Sequence, residues 1–268
     1  MNPNWGLPAD WITPDWPASD RVGAVFTTRQ GGVSLPPFDS FNLGDHVGDD
    51  ASAVAVNRQR LASAIASNPV FMSQVHGTEV ALLDEHPSDG VVADACISTS
   101  PGVACTVMVA DCLPVLLADR QGRAVAAAHA GWRGLAAGVV EAAVNALLHA
   151  PTSAGSSGIC TPDDIVAWLG PCIGPEAFEV GDDVRQAFTS TDGDAGQGFR
   201  PLGQGKYLAD LAWLCRRRLQ ALGIGVVAGN DGSARWCTVS QSSRFFSHRR
   251  DARVLGASGR MAACVWLR

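Results

Sequence analysis

Residues 102–150, GVACTVMVADCLPVLLADRQGRAVAAAHAGWRGLAAGVVEAAVNALLHA, decide the fold class. GVACTVMV is a β-rich apolar run, PVLLAD is a second, and RAVAAAHA is a third that leads straight into His129. Beyond it Leu135, Val139, Ala142, Ala143 and Leu147 recur at helical spacing, which predicts one helix starting near Gly131 or Trp132. His129 is then expected at a strand-to-helix turn, where α/β sheets form ligand crevices and the new helix offers backbone N–H groups to anions. Pro114 is expected to break regular structure beside Cys112.

Working outward, VGAVFTT and PVFMSQV read as strands, RQGGVSLPPFDSFNLGDHVGDD as a turn-rich loop, and about Ala51 to Ser67 as a helix. On the other side come a strand (DIVAWLG), a loop (PCIGPEAFEVG) that is either a pocket wall or a tight connection, a helix from Asp182, a helix over YLADLAWLCRRRLQALG, and a closing strand (MAACVWL). PTSAGSSGICTPDD at 151–164 and TSTDGDAGQGFRPLGQG at 189–205 each read as an exposed loop or a weak boundary. Strands alternating with helices place the chain in the α/β or α+β class. Residues 1–20 are expected to form an N-terminal extension and residues 21–268 a single domain.

A length of 268 residues with 47% apolar content suffices for a large core. The net charge of −6 argues against a broad nucleic-acid or membrane-surface footprint, both of which need a basic face, and favours a small-molecule substrate. Lys206 is the only lysine. Arginine suits planar recognition of phosphate or carboxylate groups, and genome base composition produces the same bias. No basic residue precedes Arg21 and no apolar signal core follows, so a cytoplasmic protein is expected. Its eight cysteines then read as reduced thiols, mostly in core packing. No CxxC pair occurs, which removes zinc-finger and thioredoxin-like readings.

Two imidazoles and one thiol, His76 in SQVHG, Cys112 in VADCLP and His129 in AHAGWRG, sit where the chain is expected to turn. They form the ligand set of a zinc ion with one open position, whereas structural zinc usually has four protein ligands. Asp111 places a carboxylate next to the thiol. Arg29, on the glycine loop TTRQGGVS, reads either as an anion clamp or as a solvated turn residue, and Arg133 crowds the turn after His129. His46 reads either as a further member of the site or, with Asp45, Asp49 and Asp50 around it, as a loop histidine in a solvated acidic patch, and SRFFSHRRD reads as a phosphate contact or a salt-bridge cluster.

TTRQGGVS, SFNLGDHVGDD, NRQRL, SQVHG, VADCLPVLLAD, AHAGWRG, GPCIGPEAFEVG, CTVSQSSRFFSHRRD and GRMAACVWL, in this order over roughly residues 25 to 268, together resemble the laccase-domain family. That family is also described as multicopper polyphenol oxidase, as purine nucleoside phosphorylase and as peptidoglycan editing factor. The resemblance implies a four-layer α/β/β/α fold with mixed sheets, shared with deamidating bacterial toxins of the cysteine-hydrolase type, and a zinc ion on His76, Cys112 and His129. It further implies phosphorolysis of adenosine, inosine and methylthioadenosine, with adenosine deamination as a second activity. His248 stands where the family commonly has tyrosine.

The residues weigh these descriptions differently. Multicopper oxidation needs about ten histidines, largely as HxH pairs, since imidazole is the ligand that suits Cu(II). This chain has six histidines and no HxH, although a thiolate with two imidazoles also accepts Cu(I). In phosphorolysis the metal would polarise phosphate or a ribose oxygen, Arg29 and Arg133 would hold anionic oxygens, and Asp111 would act as general acid or base. The HxE and PCxxC signature of zinc nucleobase deaminases is missing, so deamination would use a different scaffold. Two rivals remain open: a thiol amidase with Cys112 as nucleophile and His129 as base, and a protein that binds or edits a cell-wall precursor around a structural zinc. No oligomeric state follows from the sequence.

Overall fold

The computed structural model describes residues 7–150 and 161–268. Residues 1–6 of the expected N-terminal extension, and residues 151–160 of the first expected loop with Cys160, lie outside the described residues. In chain order the elements are β1 (Val22–Phe26), α1 (Ala51–Ile65), β2 (Asn68–Phe71), β3 (Val80–Leu83), β4 (Ala95–Ser98), β5 (Val103–Val109), β6 (Leu113–Asp119), β7 (Val125–Ala130), α2 (Trp132–Ala137) and α3 (Val139–Leu148). They continue with β8 (Ile165–Leu169), β9 (Glu179–Gly181), α4 (Asp182–Thr189), β10 (Phe199–Gly203), β11 (Lys206–Ala209), α5 (Leu211–Ala221), β12 (Val226–Gly229), α6 (Arg253–Leu255) and β13 (Met261–Leu267).

The strands form three sheets, two of them mixed: β1-β13-β5-β2, β12-β8-β6-β7-β4-β3 and the antiparallel β10-β11-β9. Every residue of β5, β6, β7 and β13 is buried, which is why these strands read as unbroken apolar runs. Alternation within a run then divides its side chains between two cores. Val107 and Val265 from the four-stranded sheet meet Leu116, Ala127 and Val166 from the six-stranded one. On the opposite faces Val115, Leu117 and Ala126 pack against Val140, Ala143 and Leu147 of α3, while Val25, Met108 and Cys264 pack against Leu61 and Ile65 of α1. All seven cysteines among the described residues are free, six of them buried and Cys112 half-buried. Among the described residues no helix is long and apolar enough to cross a membrane.

Four local expectations are corrected. The helix after His129 is two: Gly138, at φ +103°, ends α2 by donating its N–H to the Gly134 and Leu135 carbonyls and starts α3. A positive φ at this junction is cheap for glycine alone. The segment 206–222 is helical only from Leu211, because Asp210 caps that helix through the Trp213 N–H (2.9 Å) while Tyr207 pairs with Pro201 and Val180. The stretch 189–205 accordingly contains a strand, β10, besides its loop. Pro114 does not interrupt the sheet. It lies in β6 opposite His129, near the strand start where a missing N–H is tolerated, and its carbonyl accepts from Gly170.

Candidate active site

A single buried carboxylate organises the site. Asp94 is fully buried at the entry to β4, inside the apolar run VVADACI. Its side chain accepts from three consecutive backbone N–H groups, Val75 (3.0 Å), His76 (2.9 Å) and Gly77 (2.6 Å), and from His129 Nδ1 (2.8 Å). Its carbonyl also accepts the His129 N–H at 2.7 Å. This cradle folds the loop between β2 and β3 back on itself and holds His76 at φ +62°, a conformation that a non-glycine residue adopts only where its surroundings impose it. Burial pushes the Asp94 carboxyl up, but the bond from His129 and those from Gly77 and Val75 outweigh it and hold it below the usual carboxylate range.

The same bonds fix which atoms face the site. His129 lies one residue from the end of β7, and with Nδ1 committed to Asp94 its Nε2 is left for a ligand. Cys112 occupies the turn between β5 and β6, with Sγ 3.7 Å from His76 Nε2. The two imidazole rings stand 4.8 Å apart at 72°. One donor atom from each of the three residues falls within 4.8 Å of the others. Tetrahedral zinc, with bonds of about 2.3 Å to sulfur and 2.0–2.1 Å to nitrogen, needs donors about 3.3 to 3.6 Å apart, so the donor set fits the ion with small side-chain adjustments.

Space is reserved around the trio. A Cβ on Gly131 would fall 2.6 Å from His76 Cδ2 and 3.0 Å from Cys112 Sγ, so only glycine fits between β7 and α2. Burial raises the Cys112 thiol, yet the charge and hydrogen bonds of His129 and His76 prevail and bring it down to about 6. His129 moves the other way: burial lowers it, and Cys112 and Asp94 raise it to about 9. Without a metal the two form a thiolate–imidazolium pair.

The trio opens onto a cavity of about 390 Å³. Met108, Trp132, Ile173, Phe178 and Leu211 supply its apolar wall, and His46, Asp111, Arg133, His248, Arg249 and Arg260 its polar groups. The 170s loop, through Ile173 and Phe178, is therefore a pocket wall. Asp111, at φ +88°, ties neighbouring loops together: its carboxylate accepts from the Thr238 hydroxyl and the Arg249 N–H (2.6 Å), and its carbonyl from Ile173. Arg133 stacks on Trp132 at 4.3 Å. Arg29 does not line the cavity; its guanidinium bonds the Asp39 and Ser242 carbonyls, pairs with the Asp39 carboxylate at 3.2 Å and covers Phe246. His46 is exposed and paired with Asp45 in the acidic loop and also lines the cavity, as does His248.

Two residues of the site had no role in the sequence reading. Asp94 carried a signal, a lone carboxylate in an apolar run, which must find partners when buried. Arg260 precedes β13 and carried none, since its place depends on the last strand running beside β5.

Comparison with known proteins gives the chain a family and a shared fold. The family model described as multi-copper polyphenol oxidoreductase laccase matches residues 23–268. A protein of Pseudomonas aeruginosa named purine nucleoside phosphorylase is 50% identical over 96% of this chain and 98% of its own length. The Escherichia coli purine nucleoside phosphorylase YfiH is 47% identical over the same shares. Among solved structures, a Neisseria meningitidis protein superposes with a TM-score of 0.86 at 43% identity, covering 96% of this chain and 99% of its own. YlmD from Geobacillus stearothermophilus gives 0.83 at 31% identity, covering 93% of each chain.

Proposed function

Since the chain belongs to the family described as multi-copper polyphenol oxidoreductase laccase, and near full-length relatives bear the name purine nucleoside phosphorylase, we propose that it is a zinc-dependent purine nucleoside phosphorylase. The observation that carries this reading is the convergence of His76, Cys112 and His129 from separate loops on one wall of an open cavity. At about 390 Å³ that cavity is in the range of small-molecule sites. Adenosine, inosine and methylthioadenosine are the substrates proposed. Packing of α1, the two larger sheets and α3 in succession supports the four-layer arrangement and the likeness to deamidating toxins, and unpaired thiols support a reducing, cytoplasmic setting.

In phosphorolysis the C1′–N9 bond breaks as a phosphate oxygen bonds to C1′, through an oxocarbenium-like ribose whose charge the site must stabilise. When bound, the metal supplies a Lewis-acidic charge beside that centre. The apolar wall from Trp132 to Phe178 receives the base, Arg133 at the rim holds an anionic oxygen, and Asp111 presents its carboxylate as an acid or base for the purine. Asp94 acts by holding both histidines. Adenosine deamination is proposed as a second reaction of the same cavity, with water adding at C6 and ammonia leaving.

A second reading rests on a specific observation. Asp94, His129 and Cys112 form a carboxylate–imidazole–thiol row in which the thiol is brought down to about 6, the arrangement of a cysteine amidase. Incubation with adenosine and phosphate, with adenine and inosine separated by chromatography, distinguishes them. We expect adenine release that requires phosphate and is lost in His76→Ala. Phosphate-independent release, or full activity in His76→Ala, would overturn the phosphorylase reading.

A further inference from the structure

Arg260 is a half-buried cation that feels the charges of Cys112 and Asp111 but forms no ion pair with them. Its Nη1 donates to the Ser258 and Gly259 carbonyls at 2.8 and 3.2 Å, its backbone N–H goes to Asn42, and among the described residues no carboxylate lies within ion-pair distance. By contrast Arg123, Arg218 and Arg250 each hold a carboxylate. Nε and Nη2 of Arg260 have no hydrogen-bond partner among the described residues, although the residue lines the cavity beside the metal trio. The side chain is also packed from behind: a Cβ on Gly44 would meet its Cγ at 2.7 Å, so this loop can approach the arginine only as glycine.

A guanidinium placed in this way is incomplete without an anion. Desolvating it costs free energy that two carbonyl bonds only partly offset, and its two remaining donor positions have the fork geometry that matches two oxygens of a tetrahedral oxyanion. The other cavity arginines differ in being exposed, so water meets their charge: Arg133 stacks on Trp132 at the rim, and Arg249 bonds the Glu179 carbonyl and covers Phe178. His46 also lines the cavity, near enough for its imidazole to feel the Arg260 charge, and can add one donor.

We propose that Arg260 is the phosphate-binding residue of this site, gripping inorganic phosphate through Nε and Nη2 next to the His76–Cys112–His129 cluster. The assignment rests on the phosphorolysis reading for its catalytic meaning, while phosphate binding itself can be measured without turnover. Arg260 then sets affinity for phosphate and leaves affinity for the nucleoside unchanged, because its free donors serve the anion and not the base.

The test measures initial rates of adenine release against phosphate and against adenosine for the wild type, Arg260→Gln and Arg260→Lys, with circular dichroism and zinc content confirming intact protein. Loss of charge-assisted bonds is expected to raise KM for phosphate about 10- to 100-fold in Arg260→Gln, with KM for adenosine changed less than about twofold and Arg260→Lys in between. In parallel, calorimetric titration of inorganic phosphate into the zinc-loaded proteins is expected to show binding to the wild type and none to Arg260→Gln. Unchanged KM for phosphate, an equal rise for both substrates, or equal phosphate binding by wild type and Arg260→Gln would overturn the assignment. If the wild type binds phosphate through Arg260 yet releases no adenine, the anion site stands and the phosphorylase reading falls.

Discussion

Asp94 receives four protein donors on its two carboxylate oxygens, and its consequence lies at two other residues, since the same atoms hold the His76 loop and select the free nitrogen of His129. Asp94→Asn keeps the volume but turns half of the acceptor into a donor facing N–H groups. It is expected to weaken zinc binding about 10- to 100-fold in competition with a chelator, and unchanged affinity would show that Asp94 does not position the ligands. Gly131→Ala is expected to abolish stoichiometric zinc while the far-ultraviolet circular dichroism stays native, because the added methyl occupies space next to His76 and Cys112. In the metal-stripped protein the Cys112 thiol, brought down to about 6 by His129 and His76, lies below the usual thiol range, so the thiolate is present above that pH and lost below it. Labelling by iodoacetamide is expected to be nearly flat from about pH 7 to 9, to fall as pH drops through about 6, and to be suppressed by zinc. A rate that climbs steadily to pH 9 would show an ordinary thiol.

Gly138 and Asp210 mark where elements divide, and both act through backbone geometry. Gly138→Ala forces a side chain onto φ +103° and is expected to cost about 1–2 kcal/mol, while Asp210→Ala removes the cap of α5 for about 1 kcal/mol. In thermal unfolding each kcal/mol appears as a drop of about 2–4 °C; no drop in Gly138→Ala would mean that α2 and α3 can merge into one helix. These two positions also show what the sequence conceals. β5, β6, β7 and β13 were readable because strands buried on both faces are apolar throughout. The pattern across Gly138 has helical spacing on both sides, so only its φ betrays the break. β11 escaped because its hairpin with β10 is completed by a long-range pairing with β9, which outweighs the helical look of the residues after Tyr207.

The whole molecule brings distant parts of the chain to one place. β13, the final strand, runs between β1 and β5 with all seven residues buried, and it places Arg260 beside the trio. Deleting residues 261–268 is therefore expected to leave no soluble folded protein, and a soluble, cooperatively unfolding truncation would contradict that placement. The three zinc candidates were visible in the sequence as residues at turns, whereas their meeting point depends on sheet order, which local patterning does not encode. Arg260 became visible only once that order was known, and so did the partners of Asp94, whose lone carboxylate in an apolar run was itself a signal. Everything proposed for the cavity depends on one ion held by His76, Cys112 and His129. The direct test is metal-to-protein stoichiometry by native mass spectrometry after zinc loading, for the wild type, His76→Ala and Cys112→Ser. The account predicts one zinc per chain in the wild type and none in either variant, with all three folded. A wild type that takes up no zinc, or variants that retain it, would contradict the account.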